Sequence, residues 1–335
     1  MANLVNRQWR LISRPQGLLS EANFEFSTHP VDELHTGEVL VKNELISLDP
    51  SSRIWTNAQE SYMPPVAIGD VMRSINVGTV VKSLNPKFDQ GALVTGLTGW
   101  QDYAVMNGDN LSKLPPTPSF EKEVYLTVLS HIGLTAYFGL LDVGGAKSGE
   151  TLVVSAAAGA VGSLVGQIGR LHGMRVVGIA GSDEKCAWIT QSLGFDAAIN
   201  YKTQNLMQEL RKACPRGIDV DFENVGGDIL NCALALINQK ARIVLCGYIS
   251  GYNLNKPEHG PANIANMVGK RARMEGFIVT DYLPRASQGY AALGKWLAEG
   301  SIKYAVDWVD GLENAPVALN RLFNGANIGK LIVRV

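Results

Sequence analysis

The first 185 residues of this 335-residue sequence contain no cysteine. The four that follow, Cys186, Cys214, Cys232 and Cys246, form no Cys-x-x-Cys pair. This argues against a disulfide framework and against a Cys-rich zinc site. A reducing, cytoplasmic setting is the simplest expectation. An excess of one charge is also missing: 30 Lys and Arg face 31 Asp and Glu, for a net charge of −1. Nothing electrostatic therefore points to nucleic acid or to an anionic membrane. Long hydrophobic runs are lacking too. The opening MANLVNRQWRLISRP holds no apolar run of signal-peptide length. The uncharged stretch 151–169, TLVVSAAAGAVGSLVGQIG, comes closest to a membrane span. Gly, Ala and Ser dominate it, so it inserts poorly and reads as buried strand, turn and helix. No internal repeat or low-complexity segment is present.

What is there is ordinary globular composition, 46% hydrophobic and 18% charged, in a length that suits two domains. The first part reads as β-rich. GEVLVKNELISLDP (37–50) alternates apolar residues at period two and stops at a proline. VGTVVKSL (77–84) and GALVTGLTGWQDYAVM (91–106) are similar, with glycines at the turns, and LPPTP (114–118) is punctuation. Such short strands suggest a compact barrel-like or sandwich-like unit. From about residue 121 the pattern changes. EKEVYLTVLSHIGLTAYFGLL has helical spacing, and then apolar strands alternate with helices: TLVVSA, RVVGIA, AAIN, DVDFENV and ARIVLCG each lead or follow a helical segment, of which DILNCALALI is one. Alternation of this kind means an α/β fold with a doubly wound parallel sheet. The closing KLIVRV is a strand expected to rejoin the first domain.

VVSAAAGAVGS carries Ala157, Gly159 and Gly162 in a G-x-G-x-x-G frame, with Ala in the first position. It follows a strand and opens a helix, as a dinucleotide loop requires. Gly159 lets the backbone approach a pyrophosphate, Gly162 lets helix and strand pack closely, and the N–H groups of the helix start, Ala160 and Val161 among them, face the anion. The acid that grips a cofactor ribose is expected about 20 residues onward. Gly181 stands there, 19 positions beyond Gly162. Asp183 and Glu184 follow Ser182, a good N-cap, and capping with the helix dipole accounts for both. A junction of Gly181, Ser182 and Lys185 has room and donors for a ribose 2′-phosphate, so it implies NADPH rather than NADH. The alternative for Lys185 is a solvated helix lysine.

At these residues the sequence resembles the zinc-free medium-chain dehydrogenase/reductase superfamily, in the leukotriene B4 12-hydroxydehydrogenase / prostaglandin reductase branch. AAAGAVGS, GIAGSDEK, INYKT, FENVGG, MEGFIV and NIGK carry the likeness, which runs from SLDP to the C-terminus. The resemblance implies a GroES-like β-barrel domain over 1–123, completed by 304–335, and a Rossmann NADPH-binding domain over 124–303. It implies a homodimer without zinc that reduces a carbon–carbon double bond conjugated to a carbonyl. It also implies cofactor contacts: Lys185 and Tyr201 to the 2′-phosphate, Asn224 near the ribose and nicotinamide, and Cys246, Gly247 and Ile249 along the nicotinamide half. Phe277, Val279 and Asn327 complete that set. One departure stands out. Many relatives read DPYMR where this chain reads DPSSRIW, so Ser51 replaces a tyrosine and puts the substrate range in question.

Hydride addition to an enal or enone leaves charge on the carbonyl oxygen. Zinc alcohol dehydrogenases neutralise such charge with a metal held by an early Cys and a later His, and no Cys precedes position 186 here. Neutral donors are then needed, and a proton must reach the α-carbon. A Tyr hydroxyl and the cofactor's own ribose hydroxyl are the candidate donors, and Tyr or water the proton source; Tyr252 is the first tyrosine candidate and Tyr62 the second, and each also reads as an aromatic that only shapes the pocket. Trp55 and Trp100 suit a pocket or a core equally. His131 reads as a satisfied buried histidine, and Cys246 as a small buried residue with no nucleophilic role. Three functional readings remain: an NADPH-dependent enal/enone reductase, a quinone oxidoreductase on the same scaffold, and an NADPH-binding structural or sensor protein.

Overall fold

A computed structural model describes residues 4–115, 120–256 and 259–335, so the prolines at 116 and 118 lie outside the described residues. The chain forms two compact units. One comprises the residues up to Leu126 with Val306–Asn327 and Leu331–Val335; the other is Thr127–Ala305 with Ile328–Lys330.

In the first unit, β1 (Val5–Leu11) and β2 (Phe24–Pro30) make an antiparallel ribbon. The longest strand, β3 (Glu38–Leu48), is followed at once by the short helix α1 (Ser51–Trp55). It organises an antiparallel sheet with β4 (Asn76–Ser83), β5 (Leu93–Gly96), β6 (Tyr103–Asn107) and β7 (Leu111–Lys113). One edge of β3 serves two partners. Glu38–Lys42 pair with β6, and Leu45–Leu48 pair with the last strand of the chain. Along the other edge β4 slips register between Leu40 and Val41 and between Asn43 and Leu45. Bulges of this kind bend a strand and increase its twist, which rolls a sheet into a barrel-like shape. Buried amides satisfy the backbone there. Asn43 Nδ2 donates to the Gln101 carbonyl at 2.7 Å and its Oδ1 accepts from Thr98 Oγ1 at 2.6 Å, while Asn76 Nδ2 donates to Thr98 Oγ1 at 2.8 Å. Trp9, Leu11, Phe24, Ile46, Leu48 and Trp100 lie in one apolar cluster. Trp100 is fully buried, 5.6 Å from the Phe24 ring, which decides between its two readings in favour of core packing.

The second unit opens differently from the continuous helical pattern over 121–141. A 3₁₀ turn at Lys122–Leu126 closes the first unit, and α2 (His131–Phe138) starts only after Ser130, whose Oγ accepts from the Ile132 N–H. The Ser130 cap interrupts what periodicity alone would join. His131, at the start of this helix, is half-buried rather than buried. Then come β8 (Thr151–Val154), α3 (Ala160–Leu171), β9 (Arg175–Ala180), α4 (Asp183–Ala187), β10 (Ala197–Asn200), α5 (Leu206–Ala213), β11 (Ile218–Glu223), α6 (Gly227–Leu234), β12 (Ile237–Leu245), α7 (Asn266–Lys270), β13 (Arg273–Gly276) and α8 (Ala286–Ala298). The strands form a six-stranded sheet in the order β10-β9-β8-β11-β12-β13, parallel throughout. In chain order this is 3-2-1-4-5-6, the doubly wound Rossmann arrangement. The helix expected at 228–237 ends at Leu234, and Ile237 already belongs to β12, where an irregular register and a left-handed Lys240 (φ +62°) absorb extra residues. After α8 the chain enters β14 (Val306–Asp310), α9 (Ala315–Asn324) and β15 (Lys330–Arg334), the strand that pairs with β3. No helix among the described residues is long and apolar enough to cross a membrane.

Candidate active site

The strand order reverses between β8 and β11, and open parallel sheets bind ligands outside the carboxyl ends of the strands at that point. The residues there are built tightly. Ala156 adopts a left-handed conformation (φ +48°), and Gly159 caps α3. A Cβ on Gly162 would sit 2.4 Å from the Ala156 carbonyl oxygen, so only glycine lets α3 close on the loop. The first N–H groups of α3, at Ala160, Val161 and Gly162, precede the first intrahelical bond, which Ser163 donates to the Gly159 carbonyl. A second backbone segment meets this loop. Gly329 donates its N–H to the Ala158 carbonyl at 2.8 Å. This brings the NIGK motif against the loop; Asn327, two residues earlier, is buried at 8% exposure.

At the end of β9 the chain passes through Gly181 to Ser182, whose Oγ accepts from the Lys185 N–H at 3.2 Å. Asp183 lies in the first turn of α4 and is held by Asn200 Nδ2 at 2.7 Å, so capping and this bond together account for it. Lys185 is buried rather than solvated, with 8% of its surface exposed. Tyr201 and Lys202 lie over Gly181: a Cβ there would meet Tyr201 Cε1 and Lys202 Cε, each at 3.2 Å. Gly181, Ser182, Lys185 and Tyr201 thus form one locality, and Lys202 joins it as a residue the sequence reading did not single out. Its only signal was its place in INYKT.

At the end of β11 a buried carboxylate acts as a clamp. Glu223 Oε1 accepts from Ser155 Oγ (2.5 Å) and from the N–H groups of Val225 (2.6 Å) and Gly226 (3.0 Å). Asn224 is tied to the same serine: its N–H donates to Ser155 Oγ at 2.7 Å and its Nδ2 to the Ser155 carbonyl at 2.8 Å. The loop after β12 locks onto this turn. Cys246 and Gly247 donate to the Glu223 carbonyl, Ile249 to the Asn224 carbonyl and Ser250 to the Val225 carbonyl. The Tyr248 ring fills the space over Gly226 and Gly251, where added Cβ atoms would lie 2.0 and 2.4 Å from it. Tyr252 turns back into its own loop, its hydroxyl accepting the Tyr248 N–H at 3.1 Å. Phe277 packs against Gly139 and meets Phe222 edge-on, with centroids 6.4 Å apart. Val279 begins the following turn.

Burial raises the carboxyl of Glu223, opposed by its hydrogen bonds, and raises that of Asp221 on the same strand well above the carboxylate range, each charge also opposing the other. Both Asp221 oxygens are buried without a partner among the described residues. Part of Cys246 reaches the surface, but its thiol is enclosed. Desolvation, and then Glu223, push that thiol up to about 12, which removes it as a nucleophile at neutral pH. No group of three His, Cys, Asp or Glu among the described residues is placed to hold a metal ion.

In the first unit, Ser51 and Trp55 share one face of α1, one turn apart, and the segment from Tyr62 to Val66 folds against that helix. The Val66 N–H donates to the Trp55 carbonyl at 2.8 Å. Tyr62 is 45% exposed, yet its hydroxyl end is crowded enough that desolvation raises it; Ser51 and Trp55 act in the opposite sense. Trp55 is 6% exposed and belongs to the apolar cluster, so its ring is core while its edge faces Tyr62.

The chain matches two family models, an N-terminal domain of oxidoreductases over residues 7–114 and a zinc-binding dehydrogenase domain over 160–299. The NADPH-dependent curcumin reductase of Escherichia coli (strain K12) is 44% identical over 98% of this chain and 97% of its own. Prostaglandin reductase 1 of Rattus norvegicus is 40% identical over 98% of both. The chain belongs to the zinc-free medium-chain dehydrogenase/reductases, in the prostaglandin and curcumin reductase branch. Among solved structures, CurA from Vibrio vulnificus in complex with NADPH superposes with a TM-score of 0.92 at 43% identity, over 98% of this chain and 99% of that one. The six-stranded parallel sheet is accordingly the family's Rossmann domain, and the rolled antiparallel unit its GroES-like domain.

Proposed function

We propose that this medium-chain reductase uses NADPH to reduce the carbon–carbon double bond of α,β-unsaturated aldehydes and ketones. The observation that carries the reading is the junction after β9, in a chain 44% identical to an NADPH-dependent curcumin reductase. Where an NAD-type site needs an acid, the junction offers Gly181, and Ser182, Lys185 and Tyr201 gather around it. Lys202 adds a second cationic side chain.

When bound, NADPH supplies the hydride that adds to the β-carbon of the substrate. The backbone from Gly159 to Gly162 holds the pyrophosphate. Gly181, Ser182, Lys185 and Tyr201 take the 2′-phosphate through charge-assisted bonds. Asn224, Cys246, Gly247, Ile249, Phe277, Val279 and Asn327 line the nicotinamide half, with Glu223 and Ser155 fixing the turn that carries Asn224. No metal takes part. Charge developing on the substrate carbonyl is met by neutral donors, with Tyr252 and Tyr62 as the side chains for that work and for proton delivery. On this reading the second unit is the cofactor domain and the first the substrate domain. The enzyme is read as a cytoplasmic homodimer, checked by light scattering on the purified chain.

The deciding experiment follows NADPH oxidation with 2-alkenals, aryl enones such as curcumin, 15-oxo-prostaglandin analogues and quinones. Turnover of alkenals or enones is expected. Turnover of quinones alone sinks the reading in favour of a quinone oxidoreductase, and NADPH binding without any turnover favours a sensor.

A further inference from the structure

The first unit contains a buried donor that the fold leaves unused. Trp55 Nε1 is sealed from solvent and has no hydrogen-bond partner among the described residues. A buried N–H of this kind costs stability, typically about 1–3 kcal/mol, so its retention calls for a reason. Three observations say where it is aimed. Trp55 and Ser51 lie one turn apart on α1, and both act on the Tyr62 hydroxyl. The segment that carries Tyr62 is tied to Trp55 itself, the Val66 N–H donating to the Trp55 carbonyl at 2.8 Å. Arg73 fastens the arrangement from a third side. Its guanidinium lies 5.4 Å from the Trp55 ring centroid, and its Nη1 donates to the Pro64 carbonyl at 2.8 Å, two residues from Tyr62.

We propose that Trp55, with Ser51, is a positioning residue that turns the Tyr62 hydroxyl into the hydrogen-bond donor for the substrate's carbonyl oxygen. This rests on the enone-reductase reading above. The indole N–H has only one lone pair of the phenol to approach, and filling it leaves the phenolic proton to point outward at the substrate. As the phenol shifts its proton toward the developing oxyanion, its own oxygen gains negative charge, and the N–H contact tightens and completes the bond the resting structure lacks. Arg73 keeps the indole in plane for this. The charged groups that face Tyr62 oppose each other: Arg73 favours the phenolate, Asp49 disfavours it, and Asp70 acts on Arg73. Tyr252, whose hydroxyl accepts the Tyr248 N–H in the loop after β12, is held by a backbone donor rather than by an indole. Ser51 belongs to the same device, supplying a small hydroxyl one turn before Trp55.

A double-mutant cycle tests this, using the full-length protein, trans-2-nonenal and NADPH. Tyr62→Phe is expected to lower kcat at least about tenfold with the KM for NADPH unchanged. Trp55→Phe keeps the ring and the Arg73 stack but removes the N–H; it is expected to lower kcat about three- to tenfold and to move the alkaline limb of the kcat–pH profile upward, because the phenolate loses a donor. Ser51→Ala, on the half-buried side of α1, is expected to shift both in the same direction by less. In the Tyr62→Phe background, Trp55→Phe is expected to have no further effect on kcat. Full additivity of the two substitutions, or an unaltered kcat and pH profile in Trp55→Phe, overturns the assignment while wild-type turnover of the enal keeps the reductase reading. Absence of wild-type turnover with any enal or enone sinks both.

Discussion

Lys185 is the residue to which the proposed function assigns the choice of cofactor. It is 8% exposed in the short helix α4, beside Ser182 and close to the junction after β9. On the proposed reading, replacing it by Ala removes a charge-assisted bond to the 2′-phosphate, of order 1.5–3 kcal/mol. The KM for NADPH is expected to rise about 10- to 100-fold, with little change for NADH, as steady-state kinetics with both cofactors will read. A second residue-scale prediction concerns Asp221. Its carboxyl is raised by burial and by Glu223, so the folded state holds the proton more tightly than the unfolded chain does. The sign follows: this group favours folding most at low pH, and its contribution is lost as pH rises from the ordinary carboxylate range toward the raised folded value. Asp221→Asn removes that slope. The variant is expected to equal wild type near pH 4 and to unfold at higher temperature than wild type at pH 8, measured by thermal scans across pH. DVDFENV reads as one strand of the parallel sheet from its place between helical segments, but a pair of acids at i and i+2 is an ordinary solvated pattern; only the packing of the sheet places Asp221 and Glu223 inside.

At the scale of elements, the loop between β8 and α3 was legible because its chemistry is local. Glycine spacing, a preceding apolar strand and a following helix lie within about twenty consecutive residues. The structure adds the reason for one of those glycines. Gly162→Ala brings a methyl to 2.4 Å from the Ala156 carbonyl, and backbone cannot yield as a flexible side chain would. It is expected to cost about 1–3 kcal/mol of stability and to weaken NADPH binding, seen by calorimetric titration together with a lowered Tm. Elements whose ends depend on a cap or on strand pairing were read less well. The pattern at 121–141 joins what Ser130 separates, and the pattern after Asp228 runs three residues past Leu234, the end of α6, to Ile237, which belongs to β12. Both errors have one cause: apolar side chains are shared by buried helices and buried strands, so periodicity alone does not mark the boundary.

For the whole molecule, the chemistry of the proposed substrates and the state of the thiols agree. Enals and enones alkylate thiolates, and burial raises all four cysteines: Cys214 and Cys246 to about 12, Cys186 and Cys232 in the same direction with an acidic neighbour assisting. None is therefore activated as a nucleophile at neutral pH. Incubation with excess trans-2-nonenal at pH 7 without NADPH is expected to leave activity intact and the intact mass unchanged. Rapid adduct formation on any one cysteine would contradict it.

Much of this protein was decided by the sequence alone. The order of strands and helices, the dinucleotide loop, the missing ribose acid at Gly181 and the lack of an early cysteine ligand each depend on neighbours along the chain or on composition. What tertiary structure decided lies between distant segments. Ser155 meets Glu223 across 68 residues because β8 and β11 pair in parallel. Tyr201 and Lys202 reach Gly181 because β10 lies beside β9. Asn200 claims Asp183, and the segment after α1 carries Tyr62 to Ser51 and Trp55. Those meetings are set by register and by how the bulged β3 bends, and neither quantity is written in any single window of residues.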